Sequence, residues 1–275
     1  MMPKRPATDY PLGSADDEHE RLIRQATHLE SCTERFFRAA GIADGQRVLD
    51  IGSGVGDVAM LVARMVGPSG QVVGVERNSR SLARARARVT EAGLHNVSFI
   101  QADVGEVKCD LVFDAVVGRL ILQFVPDPVA ALRSLSPLIR PGGVLAFQEV
   151  SYAPYLALSA HLPLWFAVAS IIHETFRRSG AKTEIGIDLF HMFQEAGLPA
   201  PAMLLEMPLG SDVDFTRLVY DLVHSLRPHI QPRDLETLGD FDTLRQRLEG
   251  EVAISQSVVP YMALVGTWCS KPEGA

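Results

Sequence analysis

Apolar residues recur along this chain in two rhythms, one typical of helices and one typical of buried strands. Between residues 14 and 40 they fall every three or four positions, which predicts one face of a helix that ends at Gly41. We expect Ser14 to cap this helix, because acidic residues follow it in the first turn. From Arg47 onward the pattern changes to short, wholly apolar runs that alternate with helical segments.

The short apolar runs predict the strands of a largely parallel sheet. They lie at residues 48–51, 71–76, 97–103, 113–118, 142–150, 203–209 and 257–268. Strands that are apolar throughout are buried on both faces, and their alternation with helices is typical of a doubly wound α/β fold. Further helical segments at 152–180, 187–196 and 212–250 exceed what a sheet needs, so we expect a cap over a ligand crevice.

The pattern divides the 275 residues into four parts. We expect an N-terminal helix in residues 1–44 and a sheet core in residues 45–150. A helical cap insertion follows in residues 151–202. The last part, residues 203–275, holds the strands that complete the sheet, with a helical insertion at 212–250.

Composition and charge argue against nucleic-acid binding, metal binding and membrane association. The net charge is −7, and an acidic protein gains nothing from releasing phosphate counterions, so nucleic acid is not an expected partner. The 3 scattered cysteines predict neither a disulfide framework nor a metal site. The first residues lack an apolar signal core, and the longest apolar run, 156–172, is interrupted and short for a membrane span, so we expect a cytoplasmic protein without membrane association.

Candidate functional residues lie at the carboxyl ends of the first three predicted strands. The turn after the first strand reads Asp-Ile-Gly-Ser-Gly-Val-Gly-Asp over residues 50–57, and glycines there let a cofactor approach the backbone. Glu76 ends the second strand 76 − 56 = 20 residues after Gly56, the spacing of an acid that grips ribose hydroxyls. Asp103 ends the third strand, so carboxylates of Asp50, Glu76 and Asp103 are expected to converge at one edge of the sheet.

Five successive motifs carry a family resemblance. VLDIGSGVGDVA (48–59), VVGVERN (72–78), FIQADV (99–104), FDAVVGRLILQFVPDP (113–128) and IRPGGVLAFQE (139–149) resemble, in order and spacing, those of class I S-adenosylmethionine (SAM)-dependent methyltransferases. The resemblance implies a Rossmann-like seven-stranded sheet with an antiparallel last strand, and SAM as cofactor. One departure is that about fifty residues separate the last two predicted strands, where many members have a short hairpin.

The resemblance also implies roles for residues at the cofactor site. Asp50 and the Gly52, Ser53 and Gly54 backbone would serve the methionine amino group, and Glu76, followed by Arg77, would bind the ribose hydroxyls. Asp103 and the Val104 N–H would hold adenine. Gly118 and Arg119 would flank the methionine end, and Gln123 would face the substrate.

The opening segment YPLGSADDEHERLIRQA, residues 10–26, resembles the N-terminal lid helix of small-molecule methyltransferases near the ubiquinone and menaquinone biosynthesis enzymes. The resemblance implies that Tyr10 and Gln25 close over the cofactor. It also implies that the expected partner is a small-molecule methyl acceptor. Whether the chain forms a homodimer is left open by the sequence.

Methyl transfer from a sulfonium needs an acceptor held in line and shielded from water, and it needs a base only if the acceptor must lose a proton. Glu149 at the end of the fifth strand and His173 in the cap are the candidate catalytic residues. The expected reaction moves a methyl group to an oxygen, nitrogen or carbon atom of a small, partly apolar metabolite.

Two other functions stay open at this point. An NAD-dependent oxidoreductase shares the glycine turn and the acid that follows it, but not Asp103 or the PGG motif. A SAM-binding protein with a repurposed or regulatory role would share the whole cofactor site.

Overall fold

The computed structural model describes residues 12–107, 109 and 111–273. Its strands are β1 (Arg47–Ile51), β2 (Gln71–Glu76), β3 (Val97–Gln101), β4 (Phe113–Arg119), β5 (Ile139–Ser151), β6 (Ala202–Glu206), β7 (Leu209–Gly210), β8 (Val259–Pro260) and β9 (Ala263–Ser270). Seven of these strands form one sheet in the order β3-β2-β1-β4-β5-β9-β6, and β7 pairs with β8.

The sheet is parallel except for its last strand. β1 pairs in parallel with β2 and β4, β2 with β3, and β4 with β5, whereas β9 runs antiparallel to both β5 and β6. The carboxyl ends of β1 to β4 therefore meet at one edge. The predicted fold class, a doubly wound seven-stranded sheet with an antiparallel last strand, is confirmed.

The helices are α1 (Asp16–Ala39), α2 (Asp57–Val66), α3 (Ser79–Glu91), α4 (Pro128–Leu135), α5 (Tyr152–Ser159), α6 (Pro163–Arg178), α7 (Ile185–Glu195), α8 (Val213–Leu226), α9 (Pro232–Thr237) and α10 (Leu244–Ser255). None of the helices in the described part of the chain is long and apolar enough to cross a bilayer. α1 begins one residue later than expected. Ala15 is its N-cap and makes no side-chain cap bond, so the prediction that Ser14 caps this helix is wrong.

Two predicted strands are interrupted by proline. The run expected at 203–209 splits into β6 and β7 at Met207 and Pro208, and the run expected at 257–268 splits into β8 and β9. Proline has no N–H to give to a sheet ladder, so a strand breaks or bends where it occurs. The Pro208 carbonyl still accepts a hydrogen bond from the Tyr261 N–H at 2.9 Å, and this bond connects the two interrupted regions.

The cap has an apolar core of its own. Buried side chains of α5, α6, α8 and α10 pack together, among them Trp165, Val219 and Leu248. Helix α7 instead packs on the sheet through Ile185 and Phe193. Both helical insertions thus contribute to one cap, while the division of the chain at residues 151, 203 and 212 stays a prediction.

Helix α1 bridges the sheet core and the cap. Its second half is held by buried apolar side chains, because Leu29 packs in the cap core and Phe36 and Phe37 pack against the sheet. Its first half has no buried apolar side chain before Ala26. There the contacts are a buried one between His19 Nε2 and Ser81 Oγ at 3.2 Å and ion pairs. The ion pairs along α1 are Asp16–Arg80 at 3.4 Å, Glu20–Arg84 at 3.0 Å, Arg24–Asp221 at 2.9 Å and Glu30–Arg64 at 3.0 Å. Exposed ion pairs contribute little each and are screened by salt, so the first half of α1 is held more weakly than the second.

The double substitution Arg80→Glu, Arg84→Glu should loosen α1 without unfolding the sheet. Each exposed pair contributes about 0.2–1 kcal/mol, so we expect roughly five-fold faster amide hydrogen exchange in the first half of α1, with a smaller effect in high salt. Arg86→Glu is the matched control, since Arg86 lies on the same helix but donates to the Phe99 carbonyl. Equal exchange in all three proteins would contradict this role of the ion pairs.

Candidate functional site

One large cavity opens at the carboxyl ends of the parallel strands. Its volume is about 1790 Å³, and two kinds of residue line it. The loops after β1, β2 and β3 contribute glycines and polar side chains, including Gly54, Glu76 and Asp103. The chain after β4, α1 and the cap contribute mainly apolar side chains, including Leu22, Phe124, Tyr152, Phe176, Leu222 and Met262. The cavity therefore has a polar wall and an apolar wall.

The glycine turn, residues 50–57, lies along the polar wall. Gly52, Gly54 and Gly56 all have positive φ, at +69°, +52° and +91°, where other residues are strained. A Cβ on Gly52 would lie 2.5 Å from the Ile121 side chain, whereas a Cβ on Gly54 would meet nothing within 4 Å. Gly52 is thus required by packing. Gly54 leaves the backbone open to a ligand in the cavity.

Glu76 ties this turn to the end of β2. Its Oε2 accepts a hydrogen bond from the Gly54 N–H at 3.1 Å, and its Oε1 accepts one from the Asn78 N–H at 2.8 Å. Glu76 also lines the cavity. Each carboxylate oxygen can accept more than one hydrogen bond, so Glu76 can hold the turn and still bind hydroxyl groups of a ligand.

Two polar side chains of the turn are buried with little hydrogen bonding. Asp50 is 1% exposed and Ser53 is 6% exposed, and neither the Asp50 carboxylate oxygens nor Ser53 Oγ makes a hydrogen bond of standard geometry with the described residues. Burial raises the pKa of Asp50 well above its usual range, although the nearby charge of Arg119 and the backbone N–H of Ala59 oppose the shift. Unpaired buried polar groups beside an open glycine suit a ligand with polar and cationic groups. Asp50 does not itself line the cavity.

The third predicted acid lies on the same wall. Asp103 is exposed, lines the cavity and precedes a 3-10 turn, Val104–Glu106, whose Val104 is buried. Arg77 lines the cavity as well. The structure thus brings Glu76, Arg77, Asp103 and Val104 together, as the sequence predicts.

Residues 120–124, here called the β4 loop, form the boundary between the two walls. Arg119 precedes it, lines the cavity and donates from Nη1 to Thr33 Oγ1 at 3.0 Å. Gln123 is buried and also lines the cavity. Gly118 does not line it, and a Cβ there would lie 2.5 Å from the Phe147 ring, so packing requires this glycine and its contact with a cofactor stays a prediction.

Helix α1 contributes two polar residues to the lining. Gln25 lines the cavity and accepts a hydrogen bond from Arg21 Nη1, and Arg21 forms a buried ion pair with Glu18 at 2.7 Å. Sequence reasoning missed Arg21, although its spacing of four residues from Gln25 places both on one helix face. Tyr10, the other predicted lid contact, lies outside the described residues.

Comparison with known families decides the class of this site. Residues 42–197, more than half of the chain, match the family model described as "Methyltransferase domain". The chain belongs to this methyltransferase family. Membership implies SAM as the cofactor, and the resemblance seen in the sequence motifs is confirmed.

Curated relatives of the methyltransferase share part of its length. It is 40% identical over 121 residues to the ubiquinone/menaquinone biosynthesis C-methyltransferase UbiE of Pseudomonas putida, covering 43% of this chain and 47% of the relative. It is 37% identical over 132 residues to the enzyme of the same name from Serratia proteamaculans, covering 45% and 53%. The chain spans about half the length of these relatives.

Solved structures share the fold at low sequence identity. The YcgJ protein of Bacillus subtilis superposes with a TM-score of 0.58 at 15% identity, covering 90% of this chain and 100% of that one. A SAM-dependent methyltransferase from Aquifex aeolicus gives 0.50 at 17% identity, covering 71% and 90%. The [4+2]-cyclase SpnF gives 0.52 at 21% identity, covering 88% and 81%.

Glu149 does not contact the cavity of this methyltransferase. It is 0% exposed, and its carboxylate accepts hydrogen bonds from the N–H groups of Ile121 at 2.9 Å, Leu122 at 2.8 Å and Gln123 at 3.4 Å. The loop that it holds separates it from the cavity, so the prediction of a catalytic contact is corrected. Burial raises the pKa of Glu149 to about 7, although the three N–H groups oppose the shift.

His173 also lies outside the lining. Its ring stacks on Tyr152 with centroids 5.2 Å apart, and its Nε2 lies 2.9 Å from Thr183 Oγ1. Tyr152 lines the cavity and His173 does not, so the prediction that His173 acts directly on an acceptor is corrected. Burial lowers the pKa of His173, which favours a neutral, packed ring.

The raised pKa of Glu149 predicts a pH-dependent stability. Below pH 4.5 the carboxyl is protonated in both the folded and the unfolded chain, and between pH 4.5 and about 7 only the folded chain keeps the proton. A pKa raised from 4.5 to about 7 corresponds to about 3 kcal/mol of unfolding free energy. As the pH rises from 4.5 to about 7, we therefore expect the unfolding free energy of the wild-type protein to fall by up to about 3 kcal/mol relative to that of Glu149→Gln. Denaturant titrations of both proteins between pH 4.5 and 8 measure the difference, and parallel curves would refute it.

Proposed function

We propose that this methyltransferase moves the methyl group of SAM to an oxygen, nitrogen or carbon atom of a small, partly apolar metabolite. The cavity supports the proposal best. Small-molecule sites usually occupy about 300–1000 Å³. A continuous space of about 1790 Å³ with one polar and one apolar wall has room for a cofactor and a second molecule.

The polar wall suits the adenosyl and methionine parts of SAM. Glu76 and Asp103 offer carboxylate oxygens to ribose hydroxyls and to the adenine amino group, and the open backbone at Gly54 leaves room for the methionine part. Asp50 and Ser53, buried without a hydrogen bond of standard geometry, favour a cationic amino group beside the turn. When bound, SAM supplies a methyl group on a positively charged sulfur that leaves as a neutral thioether.

The apolar wall suits the acceptor. Leu22 of α1, Tyr152 and Phe176 of the cap, and Phe124 of the β4 loop exclude water from the space between them, which protects an in-line displacement from competing solvent. Arg21 and Gln25 place a few polar atoms in the same lining. These residues orient an acceptor that is mostly apolar and carries some hydrogen-bonding groups.

The proposal also covers the class of partner and the cellular location of the enzyme. An acidic chain with a recessed cavity favours a small-molecule partner over nucleic acid, and we propose a cytoplasmic enzyme.

A pair of glycine substitutions tests the cofactor site. Gly54 and Gly93 both have positive φ, +52° and +65°, and a Cβ on either would meet nothing within 4 Å. Gly54→Ala and Gly93→Ala should therefore each cost about 1 kcal/mol of stability. Only Gly54→Ala places a methyl group at the cavity, so we expect it alone to weaken SAM binding, roughly ten-fold or more.

Calorimetry with SAM, and separately with NAD, measures these affinities. Tighter binding of NAD than of SAM would favour an oxidoreductase. Equal SAM affinity in the two glycine variants would show that the cofactor does not bind at this turn.

A transfer assay tests the reaction itself. The full chain is incubated with methyl-labelled SAM and fractions of small molecules extracted from cells. We expect label to enter an organic-soluble molecule with the wild-type protein and far less with Glu76→Ala, which loses the acceptor of the ribose hydroxyls. SAM binding without transfer of label to any fraction would favour a repurposed or regulatory SAM binder.

A further inference from the structure

We propose that Glu149 is a positioning residue that fixes the β4 loop between the cofactor and the acceptor. The inference rests on the proposed function, because it assigns the loop to both molecules. Leu120, Ile121, Gln123 and Phe124 all line the cavity, and Glu149 lies on the other side of the loop.

The β4 loop leaves backbone donors that nothing else in it can satisfy. Its residues Leu122–Phe124 form a single 3-10 turn, and the first N–H groups of such a turn have no partner within it. Leu120 takes a left-handed conformation with φ of +54°, followed by right-handed Ile121. Such a sequence of conformations turns successive N–H groups toward one point, and the Glu149 carboxylate lies there.

Fixing the backbone of Ile121 also fixes its side chain. Ile121 Cγ1 lies 2.5 Å from where a Cβ on Gly52 would be, and its Cγ2 lies 3.1 Å from where a Cβ on Gly118 would be. The side chain thus fills the space that these two glycines leave open. A contiguous path runs from the Glu149 carboxylate through Ile121 to the glycine turn.

The chemistry of a carboxylate explains why glutamate is suited to this position. A carboxylate accepts hydrogen bonds at two oxygens, whereas the amide of glutamine offers one acceptor and a donor group. Oε1 takes the two shorter bonds, from Ile121 and Leu122, and Oε2 takes the longest, from Gln123. Glutamine can keep the first two bonds and lose the third, while alanine loses all three.

Two variants and one control test the proposal, with SAM alone as the probe. Glu149→Ala should weaken SAM binding at least ten-fold and speed amide exchange at residues 121–123. Glu149→Gln should recover most of the affinity. The control is Glu251→Ala, since Glu251 accepts hydrogen bonds from the Leu164 and Trp165 N–H groups at the start of α6, at 2.8 Å each, and none of these residues lines the cavity.

The control separates positioning from general support of the fold. Glu251→Ala should lower the melting temperature as Glu149→Ala does, yet keep SAM affinity within two-fold of wild type. Equal losses of affinity in both alanine variants would overturn the proposal. So would an unchanged affinity in Glu149→Ala.

Two further measurements cover the case in which Glu149→Ala does not fold. Glu149→Gln loses only the bond from Gln123, so amide exchange should become faster at Gln123 and not at Ile121. Ile121→Ala removes the side chain through which Glu149 is argued to act, so it should weaken SAM binding while amide exchange at residues 121–123 stays as in wild type. Unchanged SAM affinity in Ile121→Ala would break the path from the carboxylate to the glycine turn. A wild-type chain that binds SAM but transfers no methyl group would refute the proposed function, whereas the role of Glu149 in holding the loop against the cofactor would remain.

Discussion

Backbone N–H groups at the starts of helices and turns must find acceptors when they are buried. In this methyltransferase, glutamate side chains supply several of them. Glu76 accepts from Gly54 and Asn78, Glu149 from residues 121–123, Glu184 from Tyr152 and Ala153, and Glu251 from Leu164 and Trp165. Each carboxyl group joins a turn or helix start to another part of the chain. Glu76, Glu149 and Glu184 fix segments that line the cavity, whereas Glu251 supports the start of α6 away from it. The shape of the cavity therefore depends on a small set of hydrogen bonds to carboxyl groups.

The first turns of α1 and the β4 loop both line the cavity, and they are held by different forces. The β4 loop is fixed by a carboxylate that is 0% exposed. The first turns of α1 bury no apolar side chain before Ala26 and join α3 partly through ion pairs in contact with water. Segments that open most readily are those with the fewest buried contacts. The first turns of α1 are therefore the part of this lining that separates most easily, while the β4 loop and the second half of α1, with Leu29 and Phe36 buried, stay in place.

The sequence predicted the sheet and the convergence of its acids because both follow from local pattern. Strands that are apolar throughout and alternate with helices permit few topologies, and parallel strands bring Glu76 and Asp103 to one edge. The role of Glu149 could not be predicted in this way. The sequence predicted Glu149 as a catalytic candidate at the end of β5, yet Glu149 accepts from the β4 loop and its neighbour Gln148 accepts from Thr33 at 2.8 Å. Tertiary partners decide these positions, and a local pattern does not contain them.

The family match covers the polar wall of the cavity and only part of its apolar wall, since it includes Phe124, Tyr152 and Phe176. The glycine turn, Glu76 and Asp103 fall within residues 42–197, the part that matches the family model. Leu222 and Met262, which belong to the apolar wall, fall after it. α8 and α10, which build the cap core around Leu222, also lie beyond that match. If the acceptor contacts the apolar wall as proposed, its identity depends partly on residues that the family match does not cover. The family match therefore carries over the cofactor and does not determine the acceptor.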